Sequence, residues 1–276
     1  MIQHYNDLSK IAITAAQVAG SIIGKSMSSN IKVEHKIAGD TYASQVVTEI
    51  DIKCDAIIRE YLEPSCNEWG IALLTEEKED DGSRFMKDFF WCVDPMDGTL
   101  AFINGDPGFA VSIALVAQNG TPQIGVVYDP STDNTYSAIR GQGAFKNSAL
   151  WQIKKANDHL SYVTDKKLKD DKRSDELQLI IRGHMDRLGI SEFKEISGGG
   201  SVLNAIRVIE NGPACMIKMP KKERGGGCIW DYAATSCIYQ ELGLKATDYY
   251  GNPLDLNPAH GPFMNEKGAY FSNLTF

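Results

Sequence analysis

The chain has 276 residues, 43% of them hydrophobic and 23% charged, with a formal net charge of -8 at pH 7. That content can bury a large core, as one big domain or two closely packed lobes, while the acidic balance argues against a broad nucleic-acid or membrane surface. The start, MIQHYNDLSK, lacks an apolar targeting core and no run approaches about eighteen apolar residues, so the expectation is a cytoplasmic protein with no nucleic-acid polymer and no membrane as partner.

Across residues 6–26, Leu8, Ile11, Ala15, Val18 and Ile22 recur at three- and four-residue steps, which predicts an amphipathic helix. Thr48-Glu-Ile-Asp51 opens a second periodic run through Ile57, Ile58, Tyr61 and Leu62, with Thr48 as N-cap, Asp51 in the first turn and Pro64 as its stop. Residues 69–145 alternate short apolar runs with turn residues. IALLTEE, FFWCVDP, FAVSIALVA, QIGVVYD and TYSAI read as strands of an antiparallel meander, turned at Asn119-Gly120 and at Asp129-Pro130-Ser131, with Gly141 and Gly143 as hairpin residues.

Residues 154–176, ending KKLKDDKRSDE, read as a solvated connection and place a boundary near 150, between an N-terminal lobe 1–150 and a C-terminal lobe 151–276. Beyond it, residues 177–181 read as a strand. Gly198-Gly-Gly-Ser201 leads into a helix carrying Val202, Leu203, Ile206 and Ile209 and ended by Asn211-Gly212. Gly225-Gly-Gly227 precedes CIWDYAATSCIYQELG, a helix with Asp231 near its start and Gly243 past its end. Six scattered cysteines without a C-x-x-C pair are expected to be reduced, packed thiols, and the five histidines show no metal-ligand spacing.

WCVDPMDGTLAF, residues 91–102, drives a strand into two carboxylates three residues apart. Pro95 takes the chain out of the pleat, so Asp94 and Asp97 need not face opposite sides and can turn toward one point. Carboxylates that share a point repel unless a cation joins them, and hard divalent ions such as Mg²⁺ take oxygen ligands together with a substrate phosphate. Gly98 and Thr99 fit that chemistry, because glycine lets backbone N–H groups approach an anion and a helix start favours negative charge. An Asx-type turn explains the same residues without a ligand. Glu76-Glu77, at the end of another apolar run, and Asp231 extend the acidic set, although each also has a plainer reading as a solvated turn and a helix cap.

LLTEE (73–77), WCVDPMDGTLAF (91–102), GQGAFKN (141–147) and IWDYAA (229–234), with TEID before the second helix, together resemble the inositol monophosphatase superfamily. That superfamily comprises Mg²⁺-dependent, lithium-sensitive phosphomonoesterases, including the 3'(2'),5'-bisphosphate nucleotidases and fructose-1,6-bisphosphatases. The resemblance implies an α/β fold, a layered αβαβα sandwich of the inositol monophosphatase / sugar phosphatase type, with the metal site between the lobes, and a homodimer. It implies that Glu76, Asp94, Asp97 and Asp231, with the Met96 carbonyl, hold two or three Mg²⁺ ions. Gly98 and Thr99 would cradle phosphate, with the helix opening at Ser201 adding its positive end. Thr99 with Asp51 or Glu77 would orient or deprotonate a metal-activated water, and the phosphoryl group would pass directly to it.

The substrate, a small phosphorylated metabolite, is read from IKMPKKERGGGCIWD, which holds Lys218, Lys221, Lys222 and Arg224 where inositol-specific members carry a hydroxyl-binding glutamate. Lys221, Lys222 and Arg224 suit a second phosphate, as on 3'-phosphoadenosine 5'-phosphate, and LGLKATDYYGNPLDL points to the same nucleotidase branch. PGFAVSIAL resembles the inositol branch instead, so an inositol monophosphatase is the alternative to a bisphosphate nucleotidase. A haloacid-dehalogenase-type phosphatase fits DPMDGTL less well, because Pro95 stands where its nucleophilic aspartate would be. A non-catalytic phosphate-binding regulator also fits less well, since no metal carboxylate is missing.

Overall fold

The computed structural model describes residues 2–27, 33–35, 40, 46–153, 157–225 and 227–274. The first periodic segment forms helix α1 (Tyr5–Ser26), but its buried stripe is rotated toward small residues, Ala12, Ala15, Ala16 and Ala19, between Leu8 and Ile23. Small side chains let the helix approach the sheet closely, and a Cβ at Gly20 would overlap the Tyr128 ring.

Helix α2 (Glu49–Trp69) begins as expected, with Thr48 as N-cap and Asp51 completing a capping box. Pro64 does not stop it. The helix runs on to Gly70, a left-handed cap residue whose N–H donates to Cys66. The hydrogen bond that proline removes is offset by tertiary ties in the last turns: Leu62 is fully buried and the Trp91 indole N–H donates to Ser65 Oγ at 2.9 Å.

Strands β1 (Val33–His35) and β2 (Val46–Thr48) pair antiparallel in a small ladder. A seven-stranded sheet follows in chain order: β3 (Ala72–Thr75), β4 (Phe89–Asp97), β5 (Ala110–Ala117), β6 (Pro122–Asp129), β7 (Asn134–Ile139), β8 (Gly143–Lys146) and β9 (Ala149–Leu150). From β4 to β7 it is the expected antiparallel meander, which β8 and β9 extend, but β3 lies parallel to β4. Residues 76–88 between them form a crossover rather than a tight turn, which is what parallel neighbours need.

The second sheet, ordered β11-β10-β12-β14-β13, is built from β10 (Leu160–Thr164), β11 (Phe193–Ser197), β12 (Ala214–Lys218), β13 (Lys245–Thr247) and β14 (Ala269–Asn273). Residues 160–164, inside the stretch read as a solvated connection, form a fully buried strand next to the sheet's centre. Residues 177–181 are not a strand but part of a helix, Ser174–Leu188, which buries only Leu177 and Ile181, one helical turn apart.

Four α-helices follow α2 among the described residues: α3 (Thr99–Asn104), α4, the Ser174–Leu188 helix just described, and α5 (Ser201–Glu210) and α6 (Ile229–Glu241), both of which were expected. The layers follow from side-chain parity on the strands. Trp91 and Val93 face α1 and α2 in one core cluster, whereas Phe90 and Cys92 face a second cluster containing α5, α6 and the Ala214, Met216 and Phe271 face of the second sheet. Leu160, Tyr162, Cys215 and Ile217 on the far face pack under α4. Helix, sheet, helix pair, sheet, helix is the expected αβαβα order. The six cysteines form no disulfide, and no helix among the described residues is long and apolar enough to cross a membrane.

Candidate active site

Strand β4 answers how Asp94 and Asp97 come to share a face. Asp94 pairs with Ser112 and Asp97 with Ala110, so three steps along β4 match two along β5. One extra residue is a β-bulge, and it restores to Asp97 the parity that a three-residue spacing would lose. The turn reading also holds, since Met96 N–H donates to Asp94 Oδ1 at 3.0 Å. Asp231 enters from the third position of α6, where it accepts the Cys228 N–H at 2.6 Å as part of a helix cap. These caps and turns orient the carboxylates rather than replace their chemistry: Asp94, Asp97 and Asp231 each offer an oxygen within 4.8 Å of the others'.

Glu76 is the residue after β3; its N–H donates to Val93 O at 3.0 Å, which continues the parallel ladder to a point beside Asp94. Burial and then the charge of Glu76 push the Asp94 carboxyl well above its ordinary range, with Asp231 and Asp97 adding to the effect. Asp97 is raised in the same direction, by burial and Asp231, and Asp231 is pushed up to about 6 by burial and Glu76. A divalent cation held among them would relieve both the desolvation and the repulsion. The all-oxygen, carboxylate donor set fits a hard ion such as Mg²⁺.

These side chains line one end of a cavity of about 730 Å³ that also takes in Met96, Gly98, Thr99, Gly198, Gly199, Gly200 and Ser201. Gly98 precedes α3 with φ 87°, and its α-carbon lies so close to the Gly108 carbonyl that a side chain would not fit. The Thr99 hydroxyl is 3.0 Å from Asp51 Oδ1 and 3.2 Å from the Met96 carbonyl. Asp51 does not line the cavity; it reaches it through Thr99. Burial pushes Asp51 up to about 6 despite the Thr48 hydrogen bonds that pull it down.

The remaining sequence candidates divide. Ser201 lies in the wall, where its N–H donates to Asp97 Oδ1 at 3.1 Å. Glu77 lies outside the lining, and so do Lys221, Lys222 and Arg224; Arg224 is 63% exposed and turned toward Asp40. The basic groups that do line the cavity are Lys166, Arg207 and Lys218, joined by Asp106 and Asp165. Lys218 carried a readable signal: it follows Ala214 and Met216 at even steps, so strand alternation turns it to the inner face.

A family model described as the inositol monophosphatase family matches residues 4–271. The Nus factor SuhB of Vibrio cholerae is 30% identical over 247 residues, 87% of this chain and 85% of that protein. The inositol monophosphatase of Mesembryanthemum crystallinum is 29% identical over 266 residues, covering 91% and 88% of the two chains. Among solved structures, the extragenic suppressor protein suhB of Bartonella henselae superposes with a TM-score of 0.72 at 24% identity, over 97% of this chain and 94% of that one. With the family matched along nearly its whole length and the carboxylate cluster in place, the chain belongs to the inositol monophosphatase family and is a phosphatase.

Proposed function

We propose that the chain hydrolyses a small phosphomonoester at a divalent-cation centre, with direct transfer of the phosphoryl group to water. The observation that carries this reading is the convergence of Asp94, Asp97 and Asp231 within 4.8 Å at one end of the cavity. Glu76, Asp94, Asp97, Asp231 and the Met96 carbonyl would hold two or three Mg²⁺ ions. Mg²⁺ bound there polarises a phosphoryl oxygen and makes water a stronger nucleophile.

The chain's own groups do the rest. Gly98, with no side chain in the way, offers its backbone N–H on the cavity wall to a phosphate, and the N-terminus of α5 at Ser201 adds its positive dipole end. Thr99 Oγ1 donates to Asp51, which turns its lone pairs outward to accept a proton from the attacking water. The proton passes through the hydroxyl to Asp51, whose raised affinity suits it as the acceptor. With Glu77 outside the lining, Asp51 is the base this reading uses.

Two leaving groups compete. The cations Lys166, Arg207 and Lys218 in the wall support a second phosphate, as on a bisphosphate nucleotide, although Lys221, Lys222 and Arg224 lie outside it. Asp106 and Asp165 in the same wall support a hydroxyl-rich ring, as on an inositol phosphate, through acceptor oxygens. A homodimeric cytoplasmic enzyme of two lobes, 1–150 and 151–276, completes the proposal. The test is phosphate release from 3'-phosphoadenosine 5'-phosphate and inositol 1-phosphate side by side, with Mg²⁺ and with excess chelator. Release that needs Mg²⁺ supports the proposal and names the branch. No release from either by folded protein counts against it.

A further inference from the structure

Lys218 ends β12 on the face that looks into the layer between the sheets. Its side chain is only 13% exposed, and its Nζ lies 2.8 Å from Asp165 Oδ2. It lines the same cavity as Asp97 and Asp231. A buried ammonium persists only where opposite charge surrounds it. Burial works against the charge of Lys218, but Asp165, Asp231 and Asp97 outweigh it and hold the proton on. The influence is mutual: the ammonium pulls Asp97 and Asp231 downward, against the burial that raises both.

A fixed positive charge beside a carboxylate cluster repels any other cation that enters the cluster. In a cavity wall the repulsion is screened far less than on the surface. The ammonium also offsets part of the negative field that Glu76, Asp94, Asp97 and Asp231 create.

We propose that Lys218 is an internal cation that holds down the divalent-ion affinity of the Asp94, Asp97 and Asp231 cluster, with Asp165 as the counter-charge that keeps it in place. This rests on the divalent centre proposed above. Lys218 acts through the cluster and is a positioning residue in that sense; it takes no part in the transfer itself. The pair makes a specific claim about sign: removing the ammonium tightens binding of the ion, and removing its counter-charge loosens it.

The experiment is calorimetric titration of Mg²⁺ into the full chain after chelator treatment, without substrate. Lys218→Met is expected to bind Mg²⁺ about tenfold more tightly than the unmodified chain, and Asp165→Asn several-fold more weakly. A purely structural role for the pair would loosen both. An unchanged or weaker affinity in a folded Lys218→Met overturns the proposal; if that variant does not fold, Lys218→Gln decides, and unchanged or weaker binding there overturns it. Absence of Mg²⁺ binding in the unmodified chain overturns both this proposal and the divalent centre, whereas binding that ignores the two substitutions overturns this proposal alone.

Discussion

The Asp97 carboxylate accepts the backbone N–H of Val202 at 2.8 Å, 105 positions further along the chain, and of Ser201 at 3.1 Å. An acidic group from the end of β4 thus caps α5, where the helix dipole favours negative charge. The contact needs the α-carbon of Gly200 against the carboxylate. Gly200 has φ -75°, an ordinary backbone conformation, so its requirement is space alone: a Cβ there would overlap Asp97.

Gly200→Ala is therefore expected to cost about 1–3 kcal/mol of stability through overpacking. Displacing Asp97 should also lower kcat at least about tenfold. Urea unfolding and phosphate release measure the two effects. A variant as stable and active as the unmodified chain would show that the loop yields without disturbing Asp97.

Asp94→Asn should separate activity from stability. Turnover with Mg²⁺ should fall at least about 100-fold, since the substitution removes a charged oxygen donor. In excess chelator the melting temperature should hold or rise, because one repelling buried charge has gone from the cluster. A lower melting temperature in chelator would show that the Asp94 turn, not its charge, dominates there.

The metal-free protein should lose stability as pH rises. Asp51 has an ordinary value of 3.8 and a folded value of about 6. A carboxyl that holds its proton more tightly when folded contributes stability that is complete below the unfolded value and lost as pH climbs through the folded one. The difference is worth about 3 kcal/mol between pH 4 and 7. Asp231, also pushed up to about 6, acts in the same direction. Asp165, lowered to about 2 chiefly by Lys218, works oppositely but only below pH 4. Thermal melts in chelator should show a lower midpoint at pH 7.5 than at pH 5, and Asp51→Asn should flatten the slope. A midpoint that rises with pH would contradict the assignment.

Ser65→Ala should cost about 1–3 kcal/mol, because it leaves the indole N–H of fully buried Trp91 without its acceptor. The same change tests how the end of α2 survives Pro64. Hydrogen exchange in residues 65–69 should rise more than in the first turns of the helix, and equal rates would remove the tie from that account.

Local periodicity was enough for α1, α5 and α6, and turn residues were enough for the meander from β4 to β7. It failed where tertiary burial overrode composition. Leu160–Thr164 is a short strand flanked by charge, and nothing nearby in sequence says that α4 and α5 cover its two faces. The apolar run at 177–181 looked like a strand because Leu179, which is exposed, and Ile180, which is half-buried, are apolar too. The motif order pointed to the carboxylates, but the bulge that aligns Asp94 with Asp97 shows only in the pairing with β5. The basic run drew attention to Lys221, Lys222 and Arg224, whereas strand parity points Lys218, one of three basic residues in the lining, into the cavity.

Helix α6 has a further consequence for how the enzyme responds to heat. Trp230, Tyr232, Ala233, Ala234, Cys237, Ile238 and Tyr239 are all buried, the Trp230 carbonyl accepts from Ser112 on one sheet, and Phe271 of the other packs against Tyr232 and Tyr239. Asp231 thus rides on the element that fastens the two sheets together. Activity and global structure are expected to fail at the same temperature, with no warm, folded but idle form in between.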